Sequence, residues 1–197
     1  TVTINDTIDT TTVTLDDVTV DEDGTITYTA SVDHAAETAF SVTLSNDVVI
    51  NFAAGATTGS STAQLAQGDD NYIDADSFEV SIKSTSGGNY EDVDTSSTAT
   101  VTINDTIDTT TVTLDDVAVN EGSGTATVQA TVSHAVTGSD LGLTLDNNAT
   151  ITIAVGQTQG TSTAFAINNG EDVYKDGSSF TVAIDATKTT GGNFENL

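Results

Sequence analysis

Residues 1–18, TVTINDTIDTTTVTLDDV, recur without a change at residues 100–117. An identity of this length makes the chain a piece of a tandem array. Beyond it the match continues with slowly growing offsets. Glu22 aligns with Glu121, His34 with His134, Asp70 with Asp172, and Gly87-Gly88-Asn89 with Gly191-Gly192-Asn193, at offsets of 99, 100, 102 and 104. Steps of one or two residues place the insertions in loops and leave the strands intact. A period of about 100 residues exceeds the ~20–50 of a solenoid repeat and has the size of an independent domain.

Within a repeat the apolar period is two. Val13 and Leu15, then Val18 and Val20, form an opening strand whose register Asp16 and Asp17 break. Ile26, Tyr28, Ala30 and Val32 alternate with Thr and Ser, as do Phe40, Val42 and Leu44. Val48, Ile50 and Phe52 follow, then Ala63 and Leu65, then Phe78, Val80 and Ile82, and lastly Ala99, Val101 and Ile103. Such alternation marks half-buried strands, and Gly55, Gly59, Gly68, Gly87 and Gly88 punctuate them. Seven short strands in about 95 residues predict an all-β chain of two tandem immunoglobulin-like Greek-key β-sandwich domains in an extended rod. The second repeat carries the same map, with Ala126, Val128, Ala130 and Val132 as its second strand and Phe180, Val182 and Ile184 as its sixth. The expected boundaries are 1–9 for the last strand and linker of a preceding repeat, 10–108 for the first repeat with its linker, and 109–197 for the second, whose final strand is missing. The chain reads as an internal excerpt of something longer.

Charge narrows the function. Thirty Asp and Glu face only Lys83, Lys175 and Lys188, for a net charge of −27. Phosphate binding needs a basic surface, so nucleic acid is excluded as a partner. No apolar run approaches the ~20 residues of a spanning helix, so no membrane insertion is expected. There is no Cys, hence no disulfide framework and no thiolate metal site. Compact chains this acidic repel themselves unless cations neutralise them.

The acids gather in three places per repeat. One is the turn after the opening strand, with Glu22, matched by Glu121. The second is the loop before the sixth strand, with Asp69, Asp70 and Asp74, matched by Asp172 and Asp176. The third is the linker, with Asp105 and Asp108, matched upstream by Asp6 and Asp9. In a seven-stranded sandwich these three places lie at one pole. Carboxylates so gathered suit Ca²⁺, which takes six to eight oxygens. Zn²⁺ would ask for Cys or His, and only His34 and His134 are present. Asp also favours turns without any ion, which is the alternative. Neither histidine has a nucleophile or metal partner nearby in sequence, and a pole without a cleft gives paired acids no glycosidase geometry.

The run Val20-Asp21-Glu22, the Asp69-Asp70 and Asp74 that precede Phe78-Glu79-Val80, and Ala99-Thr100-Val101-Thr102-Ile103-Asn104-Asp105 together resemble a Calx-beta-like module. GGNYEDVDTSSTATVTINDTIDTTTVTL and EDVYKDGSSFTVAI resemble the extender repeats of giant RTX biofilm adhesins secreted by type I systems. The resemblance covers the whole chain. It implies a non-enzymatic, monomeric, calcium-stiffened stalk at the bacterial cell surface, touching calcium ions and neighbouring repeats of its own chain and holding a binding tip away from the cell. It implies ligand roles for Glu22, Asp70, Asp74, Asp105, Asp108, Glu121, Asp172 and Asp176. The alternatives are a module that binds a surface polymer or another copy, or a calcium-sensing module.

Overall fold

The computed structural model describes every residue except Asp6 and Ala66. Asp6, one of the acids expected to bind calcium, therefore lies outside the described residues. The chain divides into two compact units. The first comprises residues 1–69 and 74–106, the second residues 70–73 and 107–197.

Among the described residues, nine strands build the first unit: β1 (Thr10–Leu15), β2 (Val18–Asp21), β3 (Thr25–Val32), β4 (Phe40–Leu44), β5 (Val49–Phe52), β6 (Thr58–Gln64), β7 (Asp76–Gly87), β8 (Asp92–Asp94) and β9 (Thr98–Asn104). The opening segment is shared between two layers. β1 pairs antiparallel with β3, whereas β2 pairs parallel with β9. Asp16 and Asp17 make the switch. The Asp16 N–H still donates to Thr29 O at 3.1 Å, while the Asp17 carboxylate accepts the Thr100 N–H at 2.7 Å. β3 then pairs with β6, β9 with β7, β7 with β4 and β4 with β5, all antiparallel, and β5 touches β6 at Asn51 and Ser60. This is an immunoglobulin-like β-sandwich. Inward residues of both layers form one core that includes Val13, Tyr28, Phe40, Leu44, Ile50, Phe52, Val80 and Val101. Burying each such side chain contributes about 1.5–3 kcal/mol. Tyr28 keeps its hydroxyl partnered inside that core, accepting from Asn46 Nδ2 at 2.9 Å, and burial pushes its pKa up. The short β8, parallel to β1, has no counterpart in the alternation of the sequence.

The second unit holds β10 (Val112–Leu114), β11 (Thr125–Ala126), β12 (Gln129–Val132), β13 (Leu141–Thr144), β14 (Thr150–Ile153), β15 (Gln159–Thr161) and β16 (Phe165–Ala166), with a 3₁₀ turn at Ala186–Lys188. β12 pairs with β10 and β15, β13 with β14, and β11 with β16. Its core is built on Val128, Ala130, Val132, Leu141, Leu143, Leu145, Ile151 and Ile153.

The sixth strand expected from Phe180, Val182 and Ile184 does not form. Residues 180–183 lie outside any strand, and only Ile184 makes a bridge, to Leu145. The reason is visible in the first unit, where β9 pairs on one side with β2 and on the other with β7. The second repeat has no counterpart of β9 within the 197 residues. Residues 117–120, which match β2, consequently form no strand either. Among the described residues, no helix is long and apolar enough to cross a membrane.

Candidate metal centre

The chain turns sharply between β2 and β3. Gly24 N donates to Asp21 O at 3.1 Å, and Asp23 takes the left-handed conformation at φ 57°. The matching residue of the second repeat is Gly122, at φ 77°. The position therefore asks for a left-handed backbone, which Gly supplies freely and Asp tolerates. The same turn tucks Glu22 inward. Only 4 % of it is exposed, and its N–H donates to Asn104 O at the exit of β9.

Around Glu22 the other acids assemble. Carboxylate oxygens of Glu22, Asp74 and Asp105 all lie within 4.8 Å of one another. Thr106 fastens the group, since its N–H donates to Glu22 Oε1 at 2.9 Å and its hydroxyl to the same oxygen at 3.2 Å. The Thr106 hydroxyl also meets the Asp69 carboxylate. The Asp74 N–H points to Asp105 Oδ1 at 3.3 Å, and Gln67 Nε2 donates to Asp74 Oδ1 at 2.7 Å. The turn after β2, the loop before β7 and the exit of β9 thus meet in one place within the first unit.

The donor set is all oxygen. Oxygens bound to one Ca²⁺ at 2.3–2.6 Å lie at most about 5 Å apart, and the three carboxylates meet that condition. Repulsion among three such groups is large in a half-buried place, so a cation of matching size would relieve it. Buried charge is otherwise costly.

The remaining acids go elsewhere. Residues 70–73 belong to the second unit. There Asp70 accepts the N–H of Tyr72 at 2.7 Å, and Tyr72 stacks on Phe194 at 5.6 Å. Asp108 is exposed and donates its N–H to Glu195 Oε2 at 2.6 Å. Asp9 repeats that contact with Glu91, also at 2.6 Å. Asp172 is exposed and accepts the N–H of Tyr174 at 2.7 Å. Glu121 and Asp176 line an open depression together with Glu171. Among the described residues they form no three-acid group of the kind seen in the first unit. Position 105 is the missing member, since the second repeat has no counterpart of it within the sequence. His34 contacts Asp33, and His134 contacts Thr110 and Ser133.

Sequence reasoning passed over Thr106, Gln67, Glu91 and Glu195. Thr106 stands inside the quoted linker and recurs as Thr7, and Glu91 recurs as Glu195 at the same offset of 104 as the glycines. Recurrence was the available signal for Thr106, Glu91 and Glu195, whereas Gln67, whose counterpart is Asn169, gave none.

The LapA domain model matches residues 9–106 and again residues 108–197. The chain belongs to the LapA domain family. LapA domains are related to bacterial adhesins, so the function of the chain is adhesin-related. Among solved structures, the chain is similar to CBD12 from CALX1.2, at 14 % identity over 79 % of this chain and 76 % of that one, with a TM-score of 0.36. The calcium binding domain CBD12 of CALX1.1 gives 15 % identity, 79 % and 75 % coverage and a TM-score of 0.37. A chimeric titin Z1Z2-Z1Z2 tandem gives 16 %, 75 % and 80 %, and 0.22. At such identities and scores the likeness says nothing of what a LapA domain binds. No curated protein matches the chain.

Proposed function

We propose that these two LapA domains are extender modules of a secreted bacterial surface adhesin, forming part of an extended rod that Ca²⁺ stiffens and that holds a ligand-binding tip away from the cell during adhesion and biofilm formation. The observation that carries this reading is the gathering of Glu22, Asp74 and Asp105 at the point where the chain leaves β9 for the next repeat. A cation there ties the end of one domain to the start of the linker. Asp69 stands beside the group through Thr106. Glu121 and Asp176 hold the corresponding places in the second repeat, with Asp172 nearby in sequence. Asp6, Asp9 and Asp108 belong to the linkers of the same scheme, and Asp70 to the loop that carries Asp74. A structural, non-enzymatic role follows from this reading, as does export to the cell surface.

Melting in Ca²⁺ against chelator, at constant ionic strength, tests the ion. A site filled at one hundred times Kd adds about 2.7 kcal/mol, which for a domain of this size raises Tm by on the order of 10 °C. Asp74→Asn with Asp105→Asn should abolish most of the rise in the first unit while raising the chelator-state Tm, since the repulsion around Glu22 goes with the two charges. Equal melting temperatures for the wild type with and without Ca²⁺ would return the acids to solvated turns. The stalk itself is tested by solution scattering. Ca²⁺ should narrow the spread of end-to-end distances, and an unchanged spread would remove the stiffening.

A further inference from the structure

In the first unit β2 runs parallel to β9 through four rungs, from Val18 against Val101 to Asp21 against Asn104. The next rung of the same register sets Glu22 against Asp105. In a parallel ladder a residue donates its N–H to the residue before its partner, and its own carbonyl accepts the N–H of the residue after it. Glu22 meets the first half of that pattern, since its N–H donates to Asn104 O at 3.0 Å. It meets the second half with a different atom. The Thr106 N–H donates to Glu22 Oε1 at 2.9 Å, so a side-chain oxygen stands where the ladder would use the main-chain one.

The backbone shows why the side chain takes over. The chain turns away from β9 directly after Asp21, where Gly24 N donates to Asp21 O at 3.1 Å and Asp23 sits at φ 57°. A main chain bent back so soon leaves the ladder, whereas a Glu side chain reaches on along it. Glu22 is 4 % exposed, so the packing around it fixes its carboxylate in place. The Thr106 hydroxyl adds a second bond to the same oxygen at 3.2 Å. Exposure follows these bonds. Asp105 and Thr106 are half-buried, while Ile107 is 73 % exposed. The first unit accordingly ends at Thr106, two residues beyond the end of β9.

We propose that Glu22 acts as a side-chain rung, a strap made of protein alone that continues the β2–β9 ladder through Thr106 and fixes the root of the linker. Its bonds run directly from Thr106 to Glu22, so the strap closes without any ion. A carboxylate offers about four acceptor positions, so the strap and a bound cation do not compete for Glu22. The chemistry of the rung asks for an oxygen at the right reach and not for a charge. Gln has the same length and a carbonyl oxygen to accept the Thr106 N–H. Asp carries the charge but is one methylene too short. This separates the strap from the calcium reading, which needs the charge, and the strap does not rest on that reading.

Amide hydrogen exchange of the 197-residue chain, followed residue by residue by NMR in chelator, tests the proposal independently of any ion. In the wild type the Thr106 N–H should exchange at least about tenfold more slowly than in an unstructured chain of the same sequence. Glu22→Gln should keep that protection. Glu22→Asp should lose most of it, at least about tenfold, while Val101 and Ile103 in β9 stay protected. Exchange of wild-type Thr106 at the unstructured rate would overturn the proposal, as would a Glu22→Asp variant that protects Thr106 as well as the wild type does. A Glu22→Gln variant that frees Thr106 with Val101 and Ile103 still protected would overturn it too. Should Glu22→Asp loosen Val101 and Ile103 as well, the wild type and Glu22→Gln decide.

Discussion

At the scale of single residues, Asp33 shows how one carboxylate can act without burial. Its Oδ1 accepts the Thr12 N–H at 2.9 Å and faces His34 Nδ1 at 3.0 Å. The bond from Thr12, aided by the neighbouring His34, holds its pKa below the ordinary 3.8. A carboxylate depressed on folding contributes stability that is fully present above its unfolded pKa and is lost as pH falls through the folded one. Asp33→Asn keeps an oxygen to accept the Thr12 N–H but removes the charge. The variant should therefore be less stable than the wild type at neutral pH, with the gap closing below about pH 4. Urea midpoints across a pH series measure this, and a gap that stays constant down to acid pH would contradict it. The second unit supplies its own control. There the same backbone bond, from Thr111 N–H, goes to the Ser133 hydroxyl at 3.0 Å, and no such acid dependence arises from it. The inner partners Glu22, Asp74 and Asp105 were legible from sequence because the sandwich topology brings their loops to one pole. The Thr12–Asp33 and Thr106–Glu22 bonds were not, because they depend on register and side-chain direction, which spacing alone does not fix.

At the scale of elements, the recurring Gly-Gly-Asn turns carry the tightest approach in each unit. Gly87 has φ +81°, and a Cβ there would stand 2.2 Å from Ala39 O. Gly191 has φ +70° and would meet Asp140 O at 2.0 Å. In the first unit the following amide explains the closeness, since Gly88 N donates to the same Ala39 O at 3.1 Å, whereas in the second Gly192 N donates to Ser139 O, one residue before the crowded carbonyl. Gly87→Ala meets both an unfavourable φ and a backbone clash, and should cost the first unit about 1–3 kcal/mol. Chemical denaturation reads that directly, and an unchanged midpoint would show that the turn can open freely. Strand legibility followed the same logic of partners. Ile26, Tyr28, Ala30 and Val32 alternate, and their strand has a partner on each edge, β6 along residues 25–31 and β1 at residues 30–32, so pattern and structure agree. Phe180, Val182 and Ile184 alternate equally well, yet a strand needs a neighbour to satisfy its backbone, and half of theirs is missing. β8 is three residues with two Asp, too short and too polar to announce itself.

At the scale of the whole molecule, thirty acids against three lysines leave little internal compensation. Among the described residues the lysine ion pairs are Lys83 with Asp47 at 2.5 Å and Lys188 with Asp185 at 3.0 Å. Exposed pairs of this kind contribute at most about 1 kcal/mol, so cations must supply the rest of the neutralisation. The number of units was readable from the 18-residue identity, because two copies of one sequence fold alike. That residues 70–73 group with the second unit was not readable, since nothing in Asp70-Asn71-Tyr72-Ile73 differs from an ordinary polar loop. The parallel pairing of β2 with β9 has a further consequence under load. The chain enters β2 at Val18 and leaves β9 at Asn104, and the four residue pairs between them run side by side in the same direction. Tension pulling those two points apart acts along the strands in opposite senses. It loads all four pairs at once in shear instead of opening them one after another. β1 against β8, also parallel, places three more pairs in the same relation. Force spectroscopy with handles at residues 18 and 104 should therefore give a higher rupture force than handles at residues 21 and 104, which would unzip the same pairs from one end. Equal forces in the two geometries would show that resistance to traction resides elsewhere in the domain.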